Sequence, residues 1–114
     1  MDNKTNNIIS EFKKDIIEIL GASLNQIILY GSYARDDNST ESDIDIMILV
    51  DIDDDEIRKV RRVISDCAFE LILKYGVDIS PIITNVNHFK YWEDTLPFYR
   101  NIKNEGVVLN ISFP

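Results

Sequence analysis

Apolar residues in the first part of the chain recur at the spacing of a helix. From Ile8 to Leu20 they return every three or four positions, and Gly21 then interrupts the pattern. Side chains at this spacing share one face of a helix, and glycine commonly follows a helix end. We therefore predict an amphipathic helix that ends at Gly21 and packs one face on a core.

A second and longer helical pattern fills the middle of the chain. It is predicted to begin at Asp53, Asp54 or Asp55, because aspartate accepts hydrogen bonds from the free N–H groups of a first turn. Gly76 is its predicted end. The apolar stripe of this helix comprises Ile57, Val60, Ile64, Cys67, Ala68, Leu71 and Ile72. Cys67 is the only cysteine, which excludes an internal disulfide, and its place on the stripe predicts a buried thiol.

Short apolar runs between these helices indicate strands, and the last run is expected to lie at a sheet edge. The runs span residues 26–30, 43–50, 77–83 and 107–111. Asn87 is predicted to cap a short helix through Trp92, and Pro97 to open another helix that Gly106 follows. Helices interleaved with strands predict an α/β (α+β) fold, in which a small, mixed, partly antiparallel sheet is flanked by helices.

Length and composition fit one domain. The chain has 114 residues, of which 45% are hydrophobic, and it shows no internal repeat and no linker. A chain of this size can bury a core without disulfides or metals, so we expect a single domain over residues 1–114. No basic segment precedes a long apolar run, which favours a cytoplasmic protein.

The chain is strongly acidic, with twenty Asp and Glu residues against twelve Lys and Arg and a net charge of −8. A protein that binds long nucleic acids carries a basic surface, because phosphate backbones are negatively charged. The acidic balance therefore argues against long DNA or RNA as the main partner.

Two aspartates stand at the start of the second apolar run. Asp43 and Asp45 are separated by Ile44. Alternate side chains of a strand share a face, so the two carboxylates point the same way while the isoleucines point the other way. Two carboxylates this close repel each other unless a cation lies between them, and magnesium prefers such oxygen ligands. The pair is therefore a candidate metal site.

The turn that precedes these aspartates by ten residues is suited to phosphate. Gly31 lets a backbone approach a phosphate closely. Ser32 opens a short helix through Arg35, whose first N–H groups bind anions, and the Ser32 hydroxyl adds a donor. Arg35 could neutralise phosphate charge or pair with a nearby aspartate, and the sequence leaves both open. Turn and carboxylates together indicate a site for a metal-bound nucleoside triphosphate.

The stretch Gly31-Ser32-x10-Asp43-x-Asp45 resembles the signature of the minimal nucleotidyltransferases, a branch of the polymerase-beta-like nucleotidyltransferase superfamily. The resemblance covers nearly the whole chain and implies that superfamily's fold, a mixed sheet flanked by helices. It implies that Asp43 and Asp45 bind two magnesium ions together with a third carboxylate on a neighbouring strand. The implied reaction transfers a nucleoside monophosphate, AMP when ATP is the substrate, to a hydroxyl and releases pyrophosphate.

The third carboxylate that the resemblance requires falls on the strand 77–83, where Asp78 is the only acid. The apolar residues of that strand share one face, which leaves Asp78 and Ser80 on the other. Asp78 would then bind metal and take the proton of the attacking hydroxyl. Two alternatives stay open: Asp78 only accepts hydrogen bonds from the turn after Gly76, or Ser80 occupies the position.

The resemblance also bears on the acceptor. Many minimal members are antitoxins encoded beside a toxin with an all-helical HEPN-type ribonuclease domain, and some add adenylate to that toxin. Larger relatives carry a further domain for their acceptor, and this sequence ends before one could form. We therefore expect a protein acceptor on a HEPN-type partner and an antitoxin role. The alternatives are a non-catalytic module that occludes a helical partner, or a small-molecule nucleotidyltransferase that works as a homodimer.

Residues near the C-terminus indicate structural roles. His88, the only histidine, lies at a polar helix start and is expected to cap the helix or face solvent. The aromatic residues there recur at helical spacing, which is typical of core packing rather than of base stacking. They are Tyr91, Trp92, Phe98 and Tyr99.

Overall fold

The structure, a computed structural model, describes residues 2–39 and 41–111. Within those ranges the chain forms five α-helices and one sheet of four strands. The elements in chain order are α1 (Asn3–Leu20), β1 (Leu24–Tyr30), α2 (Ser32–Arg35), β2 (Ile44–Val50), α3 (Asp54–Tyr75), β3 (Ile79–Asn85), α4 (Val86–Trp92), α5 (Pro97–Glu105) and β4 (Val107–Val108). The predicted mixed α+β class is confirmed.

The sheet combines antiparallel and parallel pairing in the order β3-β2-β1-β4. β1 is antiparallel to both β2 and β4, whereas β2 and β3 are parallel. Parallel neighbours need a long crossover, and α3 provides it between β2 and β3. β4 lies at an edge, as predicted, but it is only two residues long.

The predicted ends of the two long helices are confirmed, because local hydrogen bonding determines them. Gly21 caps the end of α1. At the start of α3 the Asp53 carboxylate accepts the Glu56 N–H at 3.0 Å. Gly76 ends α3 in the left-handed conformation at φ 73°, a region that favours glycine.

The predicted start of α4 was wrong. Asn85, not Asn87, caps this helix, and its side-chain oxygen accepts the N–H groups of Asn87 and His88 at 2.9 and 3.2 Å. β3 pairs from Ile79 to Asn85, two residues later than predicted, and α4 begins directly after it at Val86, so Asn85 is both the last strand residue and the cap. Pairing with β2 decides where β3 begins and ends, and that information is not local to the segment.

Helices cover the sheet on both faces. The larger core cluster joins α1 and α3 to one face of the sheet, and the smaller cluster joins α4 and α5 to the other. β2 alternates between them, with Ile46 and Ile48 in the larger cluster and Met47 and Leu49 in the smaller one. Asp45 is the only charged residue of this strand, and it stands near the strand's start.

Several side chains are more exposed than the sequence led us to expect. Tyr91 and Phe98 are 75% and 47% exposed, so the expectation that they are core residues was wrong. Cys67 is only partly buried at the margin of the larger cluster. Among the described residues, no helix is both long enough and apolar enough to cross a membrane.

Candidate active site

Residues of the signature meet at one end of the sheet. Because β1 and β2 are antiparallel, the last residue of β1, Tyr30, pairs with Asp45 near the start of β2. Gly31 and Ser32 follow Tyr30 directly and lead into α2. The two halves of the signature, ten residues apart in sequence, therefore lie side by side.

Gly31 is in direct contact with the carboxylate of Asp45. Its φ of 75° lies in the left-handed region, which side chains rarely adopt. A Cβ at this position would collide with Oδ2 of Asp45 and would lie 3.2 Å from its Cγ. The left-handed turn favours glycine, and a side chain at this position would displace the carboxylate of Asp45.

The start of α2 is open to an anion. Its N-cap, Gly31, has no side chain to accept the first N–H groups, and its carbonyl accepts those of Ala34 and Arg35 at 3.1 Å each. The N–H groups of Ser32 and Tyr33 precede these and have no acceptor within the helix. Two donors thus lie at the turn that contacts Asp45.

The negative charge of Asp43 acts on the carboxylate of Asp45 in the folded chain. Burial raises the pKa of Asp45, the charge of Asp43 raises it further, and the charge of Arg35 lowers it in part. Burial, together with the charge of Asp45, raises the pKa of Tyr30 to about 12. A cation between the two carboxylates would relieve this repulsion.

Asp78 and Ser80 both lie beside the aspartate pair. In the parallel register Ser80 stands opposite Asp45, and the Ile44 N–H donates to the carbonyl of Asp78 at 2.9 Å. Continued alternation places Asp78, one residue before β3, beside Asp43. In the described part of the chain, no hydrogen bond involves the carboxylate of Asp78. The structure therefore does not support the alternative in which Asp78 only accepts hydrogen bonds from the turn after Gly76.

No complete metal cluster is preformed in residues 2–39 and 41–111. In that part of the chain no three Asp, Glu, His or Cys side chains converge closely enough to hold an ion. Asp43 and Asp45 supply a pair of carboxylates, and Asp78 as the third ligand stays a prediction.

Arg35 forms ion pairs with two acidic side chains. Its Nε lies 3.1 Å from Asp37 and its Nη1 lies 3.6 Å from Glu105, at the end of α5. The hydrogen bond that Arg35 donates to the Asp37 carboxylate, and then the charge of Asp37, raise the pKa of Arg35. These side chains are about half exposed, and exposed ion pairs are weak, so the pairing does not prevent Arg35 from reaching a phosphate.

A small cavity of about 180 Å³ opens beside the signature turn. It lies between the end of β1, α2 and α5, and it is lined by Tyr30, Gly31, Arg35, Phe98, Asn101, Ile102 and Glu105. Asn101 and Glu105 were not among the site residues predicted from the sequence. No local pattern marks them, because only the packing of α5 over β1 brings them to the signature.

A larger cleft, of about 480 Å³, lies at the opposite end of the sheet. It is formed by the start of α3, the end of β3 and the two C-terminal helices, and its lining includes Arg61, Thr84, His88 and Tyr99. None of the predicted site residues lines this cleft, so its size does not make it the site that the signature indicates.

The family model of the nucleotidyltransferase domain matches residues 9–110. A protein of Methanocaldococcus jannaschii, named as a candidate protein adenylyltransferase, is 49% identical over 76 residues, which cover 67% of this chain and 75% of that protein. A second protein of that organism with the same kind of name is 39% identical over 101 residues, which cover 89% of this chain and 93% of that protein.

Solved structures show the same fold at low identity. A crystal structure described as a toxin–antitoxin with AMP-PNP covers 97% of this chain and 75% of its own, with a TM-score of 0.55 and 18% identity. A mutant of the toxin–antitoxin MntA–HpeT covers the same shares, with a TM-score of 0.56 and 18% identity. At this level of identity the likeness extends to the fold alone.

Gly31→Ala should destabilise the protein more than Gly76→Ala. Both glycines are left-handed, at φ 75° and 73°, where a Cβ costs about 1–2 kcal/mol. Only at Gly31 would the new Cβ also collide with another residue, Asp45, whereas at Gly76 nothing lies within 4 Å. Denaturant titrations measure the two free energies of unfolding. Equal losses would contradict the contact between Gly31 and Asp45.

Asp45→Asn should stabilise the ligand-free protein at neutral pH. Because the folded chain raises the pKa of Asp45, the folded state binds this proton more tightly than the unfolded state. Stability is therefore lost as pH rises from the unfolded pKa to the raised folded pKa, and the loss is constant above it. The difference in free energy of unfolding between the variant and the wild type should therefore grow across this pH interval. Denaturant titrations of both proteins at several pH values measure this difference. A variant less stable than the wild type at neutral pH would contradict this reasoning.

Proposed function

Because the chain belongs to the nucleotidyltransferase domain family, we propose that it transfers adenylate from ATP to a hydroxyl group of a partner protein and releases pyrophosphate. Two relatives with 49% and 39% identity are named as candidate protein adenylyltransferases, which supports adenylate and a protein acceptor. A structural neighbour described as a toxin–antitoxin with AMP-PNP, an analogue of ATP, supports a nucleoside triphosphate as the substrate.

The observation that carries the proposal is the contact between Gly31 and the carboxylate of Asp45. It joins a group suited to cations to a turn suited to phosphates. A nucleoside triphosphate with its metal ions carries negative phosphates beside positive cations. Few other ligands need an acidic pair and an anion-binding turn at one point. Transfer from a triphosphate is therefore the chemistry that this geometry supports best.

The residues present fit magnesium. Asp43 and Asp45 offer carboxylate oxygens, which magnesium prefers, and their mutual repulsion favours a cation. We propose that they hold two magnesium ions, with Asp78 as a further ligand. When bound, these ions would neutralise charge on the phosphates and activate the attacking hydroxyl.

The chain's own groups would position the substrate and move one proton. The N–H groups at the start of α2 and the Ser32 hydroxyl would bind the departing phosphates, with Arg35 released from its ion pairs to assist. The acceptor oxygen attacks the α-phosphorus, and the bond to the pyrophosphate oxygen breaks in line with it. Asp78, beside Asp43, would take the acceptor's proton, and Ser80 could only orient the hydroxyl.

The proposed acceptor is a hydroxyl side chain of an all-helical HEPN-type toxin, which makes the protein an antitoxin. The support comes from structural neighbours that are described as toxin–antitoxin proteins. A nucleotide joined to tyrosine, serine or threonine adds a negative charge at that residue. In a ribonuclease site this charge would oppose the binding of RNA phosphates.

Co-expression with the protein encoded beside it should show the transfer directly. Intact-mass spectrometry of that partner should reveal an added adenylate with the wild type and with Asp66→Asn, a control on the exposed face of α3. The Asp43→Asn/Asp45→Asn variant should leave the partner unmodified, because it lacks the carboxylate pair. If the wild type and the Asp43→Asn/Asp45→Asn variant suppress the partner's toxicity equally, and the partner's mass does not change, the result would instead support the occluding module. Transfer only to small molecules would support the homodimeric enzyme.

Asp78→Asn should reduce the transfer rate by orders of magnitude and leave both nucleotide binding and stability nearly unchanged. The Asp78 carboxylate makes no hydrogen bond in the described part of the chain. Its replacement therefore should not cause the loss of about 1 kcal/mol that accompanies the removal of a hydrogen bond. Ser80→Ala is the companion variant and should retain most of the activity. Transfer rate and melting midpoint on one preparation measure both effects. If Ser80→Ala is inactive and Asp78→Asn is active, the assignment of Asp78 is wrong.

A further inference from the structure

We propose, resting on the function above, that the cavity between α5 and the signature turn binds the adenine base of the nucleotide. In this arrangement the Phe98 ring packs against the face of the base, and Asn101 and Glu105 hydrogen-bond to its edge. These residues would select the nucleotide, whereas Ser32, Asp43 and Asp45 would contact only phosphates and metal.

The cavity continues directly from the phosphate site. Gly31 lines the cavity and also contacts Asp45, and Tyr30 lines it while pairing with Asp45 across the two strands. A nucleotide with its phosphates at the start of α2 would therefore extend its base toward α5.

The size of the cavity suits a base rather than a whole nucleotide. Its volume of about 180 Å³ is below the roughly 300–1,000 Å³ of pockets that enclose a drug-sized ligand. One ring system fits, and the ribose and triphosphate would lie outside it, along the path to Asp45.

One wall of the cavity is an aromatic ring that the fold does not bury. Phe98 is 47% exposed in the first turn of α5, and its ring meets that of Tyr30 edge-on, with centroids 5.7 Å apart and planes at 84°. The ring also meets that of Tyr99, with centroids 5.8 Å apart and planes at 42°. The part of Phe98 that is exposed is available to a flat partner. Stacking of a base on an aromatic side chain contributes about 1–3 kcal/mol.

The other wall carries hydrogen-bonding groups that match the edge of adenine that bears its amino group. The Asn101 amide offers a donor and an acceptor side by side, which is the pattern that pairs with adenine. The Glu105 carboxylate accepts only, so it suits the exocyclic amino group of adenine and opposes a carbonyl at that position. In the ligand-free protein Glu105 lines this cavity and lies 3.6 Å from Arg35.

Calorimetric binding of three probes to the full chain tests the proposal: magnesium with ATP, with inosine triphosphate and with inorganic tripolyphosphate. The wild type should bind ATP about tenfold more tightly than tripolyphosphate, which has no base. Inosine triphosphate should bind more weakly than ATP, because it carries a carbonyl where adenine has its amino group.

Variants then assign the residues. Phe98→Ala and Asn101→Ala should weaken ATP about tenfold and leave tripolyphosphate unchanged, and Glu105→Gln should narrow the preference for ATP over inosine triphosphate. Two matched controls should behave as the wild type: Phe69→Ala on α3, where the ring is 57% exposed, and Asn104→Ala on α5. Tripolyphosphate binding also reports that each variant is folded.

The outcomes separate this inference from the proposed function. If the wild type binds ATP and tripolyphosphate equally, or if Phe98→Ala and Asn101→Ala weaken both probes alike, the base does not occupy the cavity and the inference is overturned, while the phosphate site stands. If the wild type binds neither probe, the proposed function fails, and the inference fails with it.

Discussion

The contact between the backbone of Gly31 and the carboxylate of Asp45 is the constraint on which the rest of the site depends. It joins the end of β1, the start of α2 and the start of β2 at a point where a Cβ has no room. Through this contact the turn at Gly31 and the acidic pair lie at one place. The cavity under α5 shares Gly31, so it belongs to the same arrangement.

The scaffold behind this contact is rigid because β2 is buried on both faces. Ile46 and Ile48 pack toward α1 and α3, and Met47 and Leu49 pack toward α4 and α5. Asp45 lies in the same strand, two residues from the fully buried Met47. Its position is therefore determined by core packing rather than by a flexible loop, as a site that must orient a reacting group requires.

The site also lowers the stability of the ligand-free fold. Asp43 and Asp45 repel each other, and their repulsion contributes to the raised pKa of Asp45. The exposed ring of Phe98 keeps apolar surface in water. Such local conflicts are expected where a ligand, rather than the core, completes the interactions. A cation at the acids and a base on the ring would remove both.

Local chemistry in the sequence determined the helix ends at Gly21, Asp53 and Gly76 and the face that Asp45 occupies, because caps and strand alternation depend only on neighbouring residues. Tertiary structure decided what depends on distant segments. Pairing with β2 places the start of β3 two residues later than predicted, and because the strand runs directly into α4, the cap is Asn85 rather than Asn87. The cavity exists only because α5 packs across β1 at the signature. The hydrophobic pattern within α5 does not determine which strand the helix covers.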